Sequence, residues 1–167
     1  MRCVKGFIKK PHPHGPEYPF IKARIFLEKQ EVGIAEFLVD TGGGTTVLSR
    51  GDALKLGLCK LIDKYVCVDL IGVGGIEKVC AIKPRPRITL EDAENSNLAI
   101  EVIADEPVLL VPLEEPRPKD RKYYRRIYAR PSILGWNVLK HARIIIDYTK
   151  EEVEICFYEH ARWLHPD

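Results

Sequence analysis

The stretch Phe37–Ser49, "FLVDTGGGTTVLS", decides how the rest of the chain is read. An apolar run ends in one aspartate, Asp40. A hydroxyl, Thr41, and three glycines, Gly42, Gly43 and Gly44, follow, and then a second apolar run begins. This pattern carries a carboxylate out of a buried strand into a tight loop, where glycine permits the backbone angles and the close approach that such a loop needs. A carboxylate placed there is costly unless it has partners. Three readings stay open on this stretch alone. Asp40 is a turn residue, the common role of Asp beside Gly. It belongs to a phosphate-binding turn, where backbone N–H groups and a threonine cradle the anion. Or it is one carboxylate of an active site.

The composition narrows the field. The chain has 167 residues, enough for one domain with a real core. It is 46% hydrophobic and 30% charged, which reads as soluble and globular. The net charge of +2 calls for no nucleic acid or anionic membrane through a global field. No apolar run approaches the ~20 residues of a membrane helix, and the start, "MRCVKGFIKKPHPHGPEYPF", has no apolar core for a secretory signal. The expected location is therefore cytoplasmic. The five cysteines form no CxxC, and the five histidines show no ligand spacing, so no metal and no cofactor are expected. One Met, one Gln (Gln30) and many Lys, Arg and Glu hint at a heat-adapted source.

Along the chain, "PHPHGPEYP" (11–19) cannot be helix or central strand, because its prolines remove donors and fix φ. Residues 1–19 read as an extended arm. "IKARIFLE" (21–28) and "IAEFLVD" (34–40) alternate as strands, with "KQEVG" as the turn between them. "TTVLS" (45–49) reads as a short β-branched run. "SRGDALKLGL" (49–58) reads as a short helix, with Ser49 as N-cap, Asp52 in the capping-box position and Gly57 as terminator. "KYVCVDLIGVGGIEKVCAIK" (64–83) is a glycine-tipped hairpin. "PRITLED" and "LAIEVIADEPVLLVP" add strands. "SILGWNVLKHA" (132–142) reads as strand, glycine and helix, and "RIIIDYTKEEVEICFY" (143–158) as a hairpin turning at "TKEE". The tally is mostly β with two short helices.

The hairpin carries an inference of its own. Pairing outward from a Val73–Gly74 turn sets Cys67 opposite Cys80 in a non-hydrogen-bonded position, where Cα atoms approach to about 4.5 Å. That is within disulfide range. A staple there would stiffen the hairpin base, whereas a reducing cytosol would leave two facing thiols, and the thiols are the default expectation.

In order and spacing, "LVDTGGGTTVLS", "IGVGGIEKV", "ILGWNVL" and "ARIIIDYTKEEVEI" resemble the catalytic loop, flap, late apolar-glycine segment and closing strands of the retropepsin-type aspartic proteases. The resemblance covers roughly residues 20–158. It implies an all-β, retropepsin-like acid protease barrel, a single lobe with one or two short helices, followed by a tail at 159–167. By this resemblance Asp40 is the catalytic carboxylate, Thr41 locks two loops of a dimer together, and Gly42 leaves its backbone open to substrate. Gly43 and Gly44, with Gly72, Val73, Gly74 and Gly75 of the flap tip, would contact the bound peptide. Leu134 and Gly135 would pack under the loop.

Aspartic protease chemistry needs two carboxylates sharing one proton, one as base on a water and one as acid on the scissile carbonyl. No other Asp in this chain is followed by Ser/Thr-Gly. The expected enzyme is therefore a homodimer with Asp40 of each chain on the two-fold axis, acting as an endopeptidase on peptides or unfolded proteins.

The chain departs from the family pattern at three positions. Gly44 stands where retroviral members usually carry an acid, Trp136 where they carry an arginine, and Gly43 where alanine is usual. A catalytically silent, dimeric peptide-binding module of the same fold is thus a second reading. "DTGGGT" also resembles the phosphate turn of actin-like and heat-shock chaperone ATPases, but those need two lobes and a far longer chain. "GVGGIEK" lacks the following helix that a dinucleotide site requires. The basic, tyrosine-containing insertion at 112–131 has no counterpart in the resemblance. Its 117–130 segment offers a nucleic-acid patch as a third reading, with a solvated loop as the expectation.

Overall fold

Alternation of side chains drives the central strands. The computed structural model describes residues 1–72, 75–102, 109–113, 129–158 and 162–164. In β4 (Gln30–Val39), Ala35, Phe37 and Val39 are buried while Glu36 and Leu38 are half-buried. In β3 (Tyr18–Leu27), Ile21, Ala23 and Ile25 point inward and Lys22 and Arg24 do not. That period of two buries one face of an antiparallel pair. The turn between them is tighter than "KQEVG" suggests. A register shift at Ile25/Phe26 moves it to Glu28–Lys29, with Glu28 in the left-handed region (φ 55).

The remaining strands are β1 (Arg2–Lys5), β2 (Phe7–Lys9), β5 (Ile62–Gly72), β6 (Gly75–Ile82), β7 (Pro86–Glu91), β8 (Ala99–Val102), β9 (Leu110–Pro112), β10 (Ser132–Leu134), β11 (Ala142–Asp147), β12 (Glu152–Phe157) and β13 (Arg162–Leu164). Among the described residues the helices are short: α1 (Arg50–Lys55), α2 (Trp136–Leu139) and a 3-10 turn at Cys59–Leu61. Among the described residues the fold is therefore all-β with two short helices. The largest sheet runs β10-β4-β3-β7-β8-β13, with β2 also on β3; β1-β12-β11 and β5-β6-β9 form smaller sheets. One core, including Phe37, Leu48, Leu58, Leu90, Leu134 and Ile155, fills the space between them. A second, small cluster of Val47, Val79, Ala81 and Leu110 lies at the base of the β5–β6 hairpin.

The stretch read as an extended arm holds two paired strands, β1 on β12 and β2 on β3. "TTVLS" forms no strand; Val47 makes isolated bridges to Leu110 and Ile133. Helix α1 is capped at both ends. Ser49 Oγ accepts from the Asp52 N–H at 3.1 Å. Gly57 (φ 71) closes a Schellman turn, with Leu58 N–H donating to Ala53 O at 2.8 Å and Gly57 N–H to Leu54 O at 3.1 Å.

The reduced thiols expected of the cysteines are not what the structure holds. Cys67–Cys80 and Cys3–Cys156 are disulfides, and Cys59 lies outside both pairs. Register is the physical reason, since each pair is directly opposed across two antiparallel strands. The Cys67–Cys80 facing was legible in the hairpin; the Cys3–Cys156 pairing spans 153 residues and was not. Among the described residues, no helix is long and apolar enough to cross a membrane.

Candidate active site

Strand β4 delivers Asp40 to the loop. It pairs in parallel with β10, Phe37 to Val39 lying against Ser132 to Leu134. The pairing continues one step past the strand end, where Asp40 N–H donates to Leu134 O at 3.1 Å. The carboxylate is half-buried, and its Oδ1 accepts from Gly42 N–H at 2.9 Å and Gly43 N–H at 3.2 Å. These two donors hold the side chain in one orientation; Oδ2 takes no hydrogen bond from the described residues.

The loop is tied down from the far end of the sequence. Trp136 N–H donates to Gly43 O at 2.6 Å. The buried Thr46 hydroxyl accepts from Gly135 N–H at 3.0 Å and donates to Asn137 Oδ1 at 2.8 Å. A β-carbon on Gly135 would lie 2.4 Å from Thr45 O and 2.9 Å from Gly43 O, so only glycine admits this approach. A β-carbon on Gly43 would lie 3.2 Å from Asp40 Oδ2 and 3.4 Å from the Ile133 side chain, close to the carboxylate itself. Around Gly44 there is open space, and Trp136 is exposed, with Lys140 Nζ 5.0 Å from its ring centre.

Opposite the loop stands the β5–β6 hairpin. Loop and hairpin enclose an open cleft of about 560 Å³. Its floor is Asp40, Gly42, Gly43, Gly44, Thr45, Val47 and Ile133; its roof is Leu70, Ile71, Gly72, Gly75, Ile76 and Glu77. Arg130, beside β10, also lines it and pairs with Glu77 at 3.4 Å. Of the residues singled out in the sequence, Asp40, Gly42, Gly43, Gly44, Gly72 and Gly75 come together here. Thr41 is exposed and does not line the cleft. Val73 and Gly74 lie outside the described residues, as does the 117–130 patch apart from its last two positions.

Sequence reasoning did not assign Glu77, Arg130, Thr46 or Asn137 to this site; Arg130 was named only as the last residue of the 117–130 patch. Nothing local marks the first two, since they meet across 53 residues. For Thr46 the doubled threonine after three glycines was a weak signal: a buried hydroxyl in such a position needs partners. Among the described residues one group has metal-ligating atoms close together. Cys3, Cys156 and Glu154 are grouped closely enough for a metal, but both sulfurs are spent in a disulfide.

An Asp-Thr-Gly loop, pinned by a late glycine segment and roofed by a hairpin, thus forms one open cleft in an all-β chain. No protein-family model and no curated protein sequence matches the chain. Among solved structures, the chain is similar to the crystal structure of a retropepsin-like aspartic protease from Rickettsia conorii. The two are 21% identical over 98% of this chain and 96% of that one, with a TM-score of 0.45.

Proposed function

We propose that the chain is an aspartic endopeptidase, active as a homodimer in which the Asp40 carboxylates of two chains share one proton and activate a water between them. The observation that carries this reading is the seat of Asp40. It stands on the floor of the cleft, with Oδ1 held by the Gly42 and Gly43 amides and Oδ2 without a partner among the described residues. One carboxylate acts as base on the water while the other, protonated, polarises the peptide carbonyl. A single Asp40 supplies one of these roles, so the second must come from another copy. Thr41, exposed beside Asp40, is placed in this reading at the contact between the two loops. Gly42, Gly43 and Gly44 below and Gly72, Val73, Gly74 and Gly75 above would flank an extended peptide, whose backbone can approach glycine closely.

The substrates proposed are peptides or unfolded proteins. Two disulfides suit an oxidising compartment, or the cytosol of a heat-adapted organism. The scarcity of Met and Gln favours the latter, which keeps the location cytoplasmic in this reading.

Digestion of a peptide library from pH 3 to 8, about the range over which such a dyad titrates, tests the proposal. Wild type should cleave and Asp40→Asn should not. Binding of peptides by both proteins with cleavage by neither would favour the silent binding module, a reading supported by the open space at Gly44 and the exposed Trp136.

A further inference from the structure

The roof of the cleft is held unevenly. Among the described residues strand β5 pairs with β6 alone and is largely open to solvent, with Val66 48%, Val68 50% and Ile71 83% exposed, while Leu70 packs on the small cluster of Val47, Val79, Ala81 and Leu110. A strand with so little of either face buried has weakly specified register. Strand β6, by contrast, is buried from Val79 to Ile82 and pairs with β9 on its other side.

Pairing between β5 and β6 is also interrupted. Ile62 opposes Ile82, and the next pair is Cys67 with Cys80. Residues 63–66 therefore bulge against Ala81 alone. From Cys67–Cys80 outward the pairing runs unbroken to Gly72–Gly75. This outer part carries Leu70, Ile71, Ile76 and Glu77 over Asp40. The disulfide sits at the junction of bulge and roof, on the first pair at which register is regained. The bulge also offers acceptors for a released thiol, since Cys67 Sγ lies 3.3 Å from Lys64 O and 3.7 Å from Asp63 O.

We propose that the Cys67–Cys80 disulfide is a redox switch that sets the register of the cleft roof; its effect on turnover rests on the protease reading above. The reductant is a dithiol. Its thiolate attacks the sulfur of Cys67, the more exposed partner, forming a mixed disulfide and releasing Cys80 as thiolate, which takes up a proton. The second thiol of the reductant, deprotonated, then displaces Cys67, which is protonated in turn. Two electrons pass to the protein, and the dithiol leaves as a disulfide. The Cys67 thiol turns to the carbonyls of Lys64 and Asp63, and the outer part of β5 is free to slip against β6. The roof then holds substrate less well.

The test compares oxidised wild type with Cys67→Ala/Cys80→Ala, in both of which Cys3–Cys156 stays intact. A Cys3→Ser/Cys156→Ser background treated with a dithiol and then reoxidised supplies the reversible arm. Amide hydrogen exchange at 67–72 and 75–80 should quicken by about tenfold or more when the bond is lost, with β4 unchanged. Cleavage should fall about tenfold in kcat/KM, mainly through KM, and return on reoxidation. Exchange within twofold of the oxidised wild type would overturn the proposal, as would alkylatable thiols at both positions before reduction. Unchanged cleavage despite faster exchange would also overturn it. If no form cleaves peptide, the protease reading fails, and the exchange arm alone decides whether the bond sets the register.

Discussion

Gly135 and Thr45 approach so closely that a methyl group on the Gly135 α-carbon would lie 2.4 Å from the Thr45 carbonyl oxygen. The obstacle is backbone of the loop that carries Asp40, which cannot swing aside as a flexible side chain can. Gly135→Ala should therefore destabilise the fold by roughly 3 kcal/mol. It should also displace the loop that carries Asp40, so cleavage should fall further than stability alone explains. Urea unfolding with an unchanged midpoint would contradict this account of the contact.

The Thr46 hydroxyl joins the loop to α2 by accepting from Gly135 N–H and donating to Asn137. Thr46→Val keeps the shape but leaves a buried amide without its acceptor. The expected loss is about 1–3 kcal/mol. Thr46→Ser, which restores the hydroxyl, should recover most of it. Chemical denaturation of the two variants side by side checks the difference.

Ser132 closes a cap at a distance. Its Oγ accepts from Ser49 N–H at 2.9 Å and donates to Asp52 Oδ2 at 2.6 Å, while Asp52 N–H donates back to Ser49 Oγ. A hydroxyl from β10 is thus inserted into the capping box of α1. Ser132→Ala should cost about 1–2 kcal/mol, comparable with or above the ~1 kcal/mol expected for Ser49→Ala. In the double variant the two losses should be less than additive, because both belong to one network.

The turn between β11 and β12 is sensitive to acid. Asp147 is held below the ordinary carboxylate value, first by the Thr149 hydroxyl and then by the Lys150 and Thr149 amides. Its folded pKa is depressed, so the ionised form favours the fold. That contribution is complete above the ordinary value of 3.8 and is lost as pH falls through the lower folded value. Thr149→Val should therefore raise the Asp147 pKa, which NMR titration of the carboxyl carbon measures directly.

The sequence made much of this architecture legible. Alternation in "IAEFLVD", the Ser49 and Gly57 caps and the turn at "TKEE" are local signals, and local signals suffice for strands, short helices and hairpins. The facing of Cys67 and Cys80 follows from hairpin pairing alone. Long-range relations were harder. The pairing of β1 with β12 joins the two ends of the chain, and nothing in "MRCVKG" announces it. The meeting of Glu77 with Arg130, and of Ser132 with Asp52, depends on how the sheets fold onto one another. Asp40 was legible as a candidate because its glycines are adjacent in sequence; the polar links beneath it come from residues more than 80 positions away.

The central claim is that Asp40 is half of a site. It is tested most directly by refolding wild-type chains together with an equal amount of Asp40→Asn and measuring peptide cleavage per total chain. If two Asp40 carboxylates are required, only pairs of wild-type chains work, and activity should be about a quarter of that of undiluted wild type. About one half would mean that each chain cleaves by itself, which would contradict the account.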